Sequence, residues 1–354
     1  MKIINALILF FTFIFIYAGC VNSDRRAVVI YSPHGKELLT EFEKRFEEKH
    51  PEIDIQWLDM GSQEVYDRIR NEKNNPQADL WWGSPSTLFM KWGSPSTLFM
   101  KAEKEDLLSE YKPSWSDKVS EYHKSKYDKW YGTFLTPEVI AFNKNVLNKE
   151  TAPDSFDELL TDNWKGKIVI RNPMASGTMR IIYSSVIENS VKNNGNEEAG
   201  FEKLKQLDRN TNSYAADPTQ MYLKLSSAET PVTLWNMPDI LLQSALYNYP
   251  FDYNFLTPST VVVIDGIALV KNSKNQEDAK LFYEFITSVE SMAYQANKFY
   301  RIPSRLDIDE NLKPEWLKKL TYNEMKIDWN LLSEKESEWM KKWDMDIKGK
   351  SKSN

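Results

Sequence analysis

Asn172 to Arg180 reads NPMASGTMR, between an apolar run and a helical pattern. Ser176, Gly177 and Thr178 therefore stand at a strand-to-helix turn. Such residues offer backbone N–H groups and hydroxyls to an anion, and the helix dipole adds favourable potential. Gly177 allows close approach of the backbone, and Arg180 can grip an oxyanion through two N–H groups. The plainer alternative is a Ser or Thr that only caps its helix.

Other loops supply further candidates. His34-Gly35, Trp82-Gly83-Ser84 and Trp235-Asn236, with Asp239, each follow an apolar run. In open α/β sheets, ligands bind beyond the carboxyl ends of the strands. Glu138 sits inside TPEVIAF, and a charge within an apolar strand calls for a partner or a ligand. Asp265-Gly266 has apolar residues on both sides, which favours a continuous strand over a hairpin turn and adds Asp265 to the set. Each has a structural alternative: His34 as a structural histidine, Trp82 and Trp235 as core, Asp239 as a helix cap.

Enzyme signatures are missing. The sequence has no G-x-G-x-x-G, P-loop, H-E-x-x-H or G-x-S-x-G. Only three His and one Cys exclude a His-rich cage, a multi-Cys metal site and a disulfide framework. A net charge of −6 argues against a nucleic-acid partner. With 51 acidic residues and 12 Trp, a secreted sugar-active enzyme stays open, though no spacing singles out an acid pair.

Alternating short apolar runs and helical patterns must position these loops. Ala27–Tyr31, Ile53–Leu58 and Ala78–Trp82 read as strands, with helices over Lys36–His50 and from Ser62. This order predicts a parallel sheet. The pattern restarts with strands Lys167–Arg171 and Val232–Trp235 and helices between and after them. Tyr131–Asn143 and Tyr253–Val270 both carry FLTP before an apolar strand, and they read as two extended crossings between lobes. The fold class is α/β, two-lobed, with two crossover strands. The expected division is 27–137 plus 259–354 for lobe one and 138–258 for lobe two. Leu331, Leu332, Trp339, Met340 and Trp343 form a packing stripe in the tail.

Two features lie outside this pattern. Trp82–Lys91 and Trp92–Lys101 are the same ten residues, WGSPSTLFMK. The first copy continues the strand ADLWW, so it is expected to hold the strand position. Residues 1–19 have the layout of a secretory signal, with Lys2 before an apolar run. Ala18-Gly19-Cys20 resembles the lipobox of bacterial lipoproteins, which implies lipidation of Cys20, a tether over 20–26 and an exported, membrane-anchored chain in the periplasm or at the cell surface.

The lipobox, ADLWWG, FLTPEVIAFNK, IRNPMASGTMR, VTLWNMPD and VVVIDGIALVKNS together resemble bacterial ABC-importer extracellular solute-binding proteins of the type II periplasmic-binding-protein fold, with the ferric-iron-binding group as nearest kin. The resemblance implies two lobes closing on a small ligand, delivery to a membrane permease, a monomer and no enzymatic activity. It implies His34 as a metal ligand, Ser176-Gly177-Thr178 as an anion loop, and bound Fe3+ with a companion anion as cargo. Ferric-binding members carry adjacent tyrosines, and this sequence has no Tyr-Tyr pair. A phosphorylated small molecule or another organic solute therefore stays open, as does a surface lipoprotein with an impaired cleft.

Overall fold

The computed structural model describes residues 25–85 and 98–351. The expectations for the signal segment, Cys20 and Trp92 lie outside the described residues. In chain order the elements are β1 (Arg26–Ser32), α1 (Lys36–Glu47), β2 (Ile53–Asp59), α2 (Ser62–Asn71), β3 (Leu80–Pro85), α3 (Leu98–Lys104) and β4 (Tyr131–Asn143). Then come β5 (Ile168–Arg171), α4 (Gly177–Asn194), α5 (Glu198–Asn210), β6 (Thr211–Ala215), α6 (Pro218–Ser226), β7 (Val232–Asn236), α7 (Met237–Tyr247) and β8 (Phe251–Phe255). The chain ends with β9 (Val262–Leu269), α8 (Gln276–Thr287), α9 (Val289–Phe299), β10 (Ile302–Pro303), α10 (Glu315–Lys318) and α11 (Trp329–Asp346).

The strands form one path, β2-β1-β3-β9-β4-β7-β5-β6, with β8 and β10 also on β4. Each end is parallel, as the alternating pattern requires: β1 with β2 and β3, and β5 with β6 and β7. The middle is antiparallel. Tyr131–Pro137 of β4 pairs with β9, and from Glu138 onward the same strand pairs with β7. Thus β4 is one unbroken crossing between lobes, and Glu138 is its first residue on the second side. The second expected crossing is instead split into β8 and β9, with a cis Thr257–Pro258 bond between them.

Each lobe has its own core. In the first, Phe42 and Phe46 of α1 and Phe282 of α8 close over Val28, Ile30, Leu80 and Trp82. On the opposite face, Trp81 stacks on Phe99 with ring centroids 4.1 Å apart. In the second, Ile182, Tyr183 and Leu204 pack on Ile168, Val169 and Leu234.

The tail departs from the expected division. Trp339, Met340 and Trp343 of α11 are fully buried in the second lobe's core, not the first's. Their aromatic partners decide this: Trp343 meets Tyr183 and Tyr214 edge-on at 5.1 and 5.4 Å. Beyond the helix, the N–H groups of Gly349 and Ser351 donate to Asp208 of α5. At the other end, Arg25 is no free tether, since it pairs with Glu47 at 2.7 Å and β1 starts at Arg26.

The repeat is divided between two elements. The first copy supplies Trp82–Pro85 of β3 and the second supplies Leu98–Lys101 of α3. The flanking residues explain the choice. If the second copy held the strand, Lys91 would replace the fully buried Trp81, and Phe89 would replace Asp79, whose carboxylate accepts from the N–H groups of Val29 and Asn275. If the first copy held the helix, Trp92 would take the fully enclosed position of Ala102.

Candidate functional site

The loops after β1 and β3 and the starts of α4 and α7 face each other across the gap between the lobes. The lobes touch there. A Cβ on Gly61 would stand 3.0 Å from the carbonyl oxygen of Ala175. Tyr247 of α7 donates its hydroxyl to Glu37 of α1. Arg301, just before β10, donates to Asp239 Oδ1 at 3.0 Å.

The floor of this cleft is a row of polar groups across β9, β4 and β7. Thr136 and Glu138 are two apart on β4 and so share a face. Thr136 donates to Asp265 Oδ2 at 2.7 Å, and the Ser84 N–H also donates to this carboxylate. Glu138 lies opposite Asn236 in the ladder. Asn236 accepts from the Asp239 N–H as the cap of α7, and its amide donates to Asp239 Oδ2 at 2.9 Å. Asp239 is thus not the cap but the first-turn acid that Asn236 and Arg301 hold.

Glu138 is 0% exposed, and neither carboxylate oxygen has a hydrogen-bond partner. Burial, then Asp265 and Asp239, push its carboxyl well above the usual range. Burial also raises Asp265, to about 6, against the opposing effects of Thr136 and Arg301.

His34 is buried, meeting Trp82 and Phe134 edge-on at 5.2 and 5.6 Å. Its Nε2 has no partner. Burial, then nearby Arg301, hold the imidazole well below its ordinary value, so it is neutral. Gly83 makes room for this ring. Its φ is +98°, and a Cβ there would stand 2.7 Å from His34 Nε2. Gly35, also at positive φ, is the N-cap residue of α1.

The remaining candidates are placed differently. Trp82 is fully enclosed core beneath His34. Trp235 is buried in the second lobe, with its indole N–H on Tyr222 Oη at 2.9 Å. Ser84 is fully buried and accepts from the Trp81 indole. Ser176 accepts from the Met179 N–H and so caps α4. Gly177 and Thr178 form the first turn, whose N–H groups have no acceptor within the helix. Arg180 points away from an anion role. It is buried and bonds Glu336 of α11, which Lys101 of α3 also reaches at 3.1 Å. Burial raises the Glu336 carboxyl, but Arg180 and Lys101 outweigh this and hold it below the usual range.

Among the described residues, no group of three His, Cys, Asp or Glu could share a metal ion, so His34 has no companion ligand set. Arg301 was not singled out in the sequence. It lies in FYRIPSR, and only the return of β10 to β4 brings it to the cleft.

A family model described as bacterial extracellular solute-binding protein matches residues 94–333. A Sinorhizobium fredii protein named a probable ABC transporter periplasmic-binding protein is 25% identical over 331 residues, spanning 91% of this chain and 86% of its own. Two solved structures have the same fold. The Actinobacillus pleuropneumoniae periplasmic protein AfuA, with fructose-6-phosphate bound, is 22% identical at a TM-score of 0.74, over 91% of this chain and 99% of that one. A Campylobacter jejuni ferric binding protein is also 22% identical, at a TM-score of 0.73, over 90% and 98%.

Proposed function

Because the chain belongs to the bacterial extracellular solute-binding protein family, and so serves as the non-enzymatic binding component of an ABC importer, we propose that its cargo is a small polar organic solute. The observation that carries this reading is the set of enclosed polar atoms without partners. Both Glu138 oxygens, His34 Nε2 and Arg301 Nε are buried in or beside the cleft and unbonded. Buried polar groups in proteins are almost always hydrogen-bonded. Oxygen acceptors, a neutral imidazole and a guanidinium N–H together suit a solute with both donors and acceptors. They suit bare ferric iron less well, since three close ligating side chains are not found among the described residues.

The solute would favour the closed state by touching both lobes, through His34, Asp265 and Arg301 on one side and Glu138, Asn236 and Asp239 on the other. An anionic group, as in a phosphorylated solute, would lie at the first turn of α4 beside Gly177 and Thr178. Arg180 would not reach it without leaving Glu336. The companion reading, ferric iron with an anion, keeps support only from relatives named for iron.

We further infer that Cys20 carries a lipid that holds a monomer near its permease. Growth with a labelled fatty acid should mark the wild-type chain and not Cys20→Ser, and an unlabelled wild-type chain would overturn this.

The test of cargo class is metal analysis and mass spectrometry of protein purified without chelator. An organic solute without stoichiometric iron is expected. One iron per chain, lost together with His34→Ala, would replace this reading by the ferric one.

A further inference from the structure

The charges enclosed at the cleft floor do not balance. Glu138 comes from β4 and Asp265 from β9, both buried, while Arg301, the buried cation near Asp265, is already bonded to the half-buried Asp239 of α7. His34 beside them is neutral. Asp265 has Thr136 and the Ser84 N–H as donors, but Glu138 has neither a donor nor a cation. An isolated buried carboxylate costs several kcal/mol unless it binds a proton or acquires a partner.

We propose that Glu138, with Asp265 beside it, is the subsite for a positively charged N–H group of the solute, an ammonium or a guanidinium. This rests on the reading that the cleft holds an organic solute. Such a group carries only donors, and the two unbonded oxygens of Glu138 are only acceptors once ionised. A hydroxyl would satisfy hydrogen bonding and leave the charge excess in place. The cation answers both needs, and its entry releases the proton that Glu138 otherwise holds. The position has a mechanical consequence. Glu138 is the residue at which β4 passes from pairing with β9 to pairing with β7, so a charge bound there is gripped at the crossing itself. A cation that links Glu138 to Asp265 ties together strands on the two sides of that crossing.

The experiment uses solute pairs that differ in the cationic group: arginine with citrulline, putrescine with butanediol, and glucosamine phosphate with glucose phosphate. Thermal midpoints of the mature chain are read at neutral pH, with calcium and ferric citrate as metal probes. The expected result is a raised midpoint for at least one cationic member, with about tenfold or greater preference over its neutral partner. Glu138→Gln should abolish that preference. Asp265→Asn, a second variant that keeps the acceptor for Thr136, should weaken it if Glu138→Gln fails to fold. A neutral partner binding as well as its cationic twin, or no cationic member binding at all, overturns the subsite and leaves the cleft reading standing whenever any organic probe binds. A response to the metals alone overturns both.

Discussion

Two clusters of buried charge lie in this protein, and their balances are opposite. Around Glu336, one carboxylate faces two cations, Arg180 and Lys101, and it is held below its ordinary pKa. Around Glu138, three carboxylates gather, of which Arg301 is bonded to Asp239 alone, and the other two carboxylates are pushed up. The first cluster is complete without a visitor. The second is complete only with protons or with a guest. Sequence had offered both as ligand sites, because Glu138 is a charge within an apolar strand and Arg180 follows S-G-T and looked available to an anion. The contrast teaches where to look for a ligand: a buried arginine whose partner is internal is structure, and a buried carboxylate without a partner is a vacancy of charge.

Removing one side of the complete cluster should have the largest effect. Glu336→Ala leaves Arg180 buried without its anion, which typically costs about 3–5 kcal/mol. A large fall in the urea midpoint is expected, with the denaturant slope unchanged. A loss below about 1 kcal/mol would mean that Arg180 finds water or another acceptor, and that the two clusters are less different than their geometry says.

The incomplete cluster should respond in the other direction. Glu138→Gln removes a carboxylate that folding must otherwise hold protonated, so the ligand-free protein should gain stability, by about 2 kcal/mol at neutral pH. The sign follows from linkage. A folded-state pKa raised above the unfolded value gives stability that is full at low pH and is lost as pH rises toward the folded value. The gain from Glu138→Gln should thus be small near pH 4 and grow toward neutrality. Asp265, near 6, contributes the same trend in the wild type; Asp239 is the other charged group acting on Glu138, while Arg301 acts on Asp265 and on neutral His34. The Glu336 cluster has the opposite sign, since its lowered pKa gives stability that is lost as pH falls through it. Unfolding curves of Glu138→Gln and wild type across pH would separate the two, and a constant difference would remove the claim that Glu138 is protonated when empty.

Lys101 tests whether the complete cluster also links the lobes. It is anchored on α3, whose Leu98, Phe99 and Ala102 lie in the first lobe's packing, whereas α11 is fixed to the second lobe by its tryptophans. Lys101→Met keeps the apolar stem but loses the bond to Glu336. Discounted for partial exposure, the loss should be about 1–2 kcal/mol. Fluorescence transfer between labels on the two lobes should report a larger separation in the ligand-free variant. An unchanged separation would make the contact a packing detail.

Much of the fold was legible because its strands are short apolar runs between helix patterns. β6, TNSYA, carries no such run, and the pairing with β5 alone makes it a strand. The tail was misplaced for a different reason. Its stripe of Trp339, Met340 and Trp343 is visible in sequence, but a stripe does not name the core it covers, and Tyr183 and Tyr214 decide that at long range. In the candidate site, Glu138 stood out as a charge within an apolar strand, and the structure encloses it there without a hydrogen-bond partner. Asn236 and Asp239 were found by their place after a strand. Arg301 lacked any local signal, and it adds to the burial that keeps His34 neutral. The partner of Arg180 lies 156 residues further along the chain, beyond any local pattern.

The smallest effect should come from deleting ten residues of the repeat. One copy of WGSPSTLFMK then remains, and the resulting chain is the same whichever ten are removed, since the copies are identical. Trp82 keeps its place because ADLW precedes it, and the remaining lysine keeps its place because Ala102 follows it. Shorter connections gain about 0.6 kcal/mol per halving of length, but stiffness opposes the gain in short loops. Stability should thus change by no more than about 1 kcal/mol. The useful measurement is a double comparison, with the Lys101→Met change made in both backgrounds. Equal costs would show that the contact with Glu336 is fixed by the downstream anchor at Ala102. A cost that vanishes after deletion would show instead that the second copy gives the lysine its reach, and that the duplication itself completed the balanced cluster.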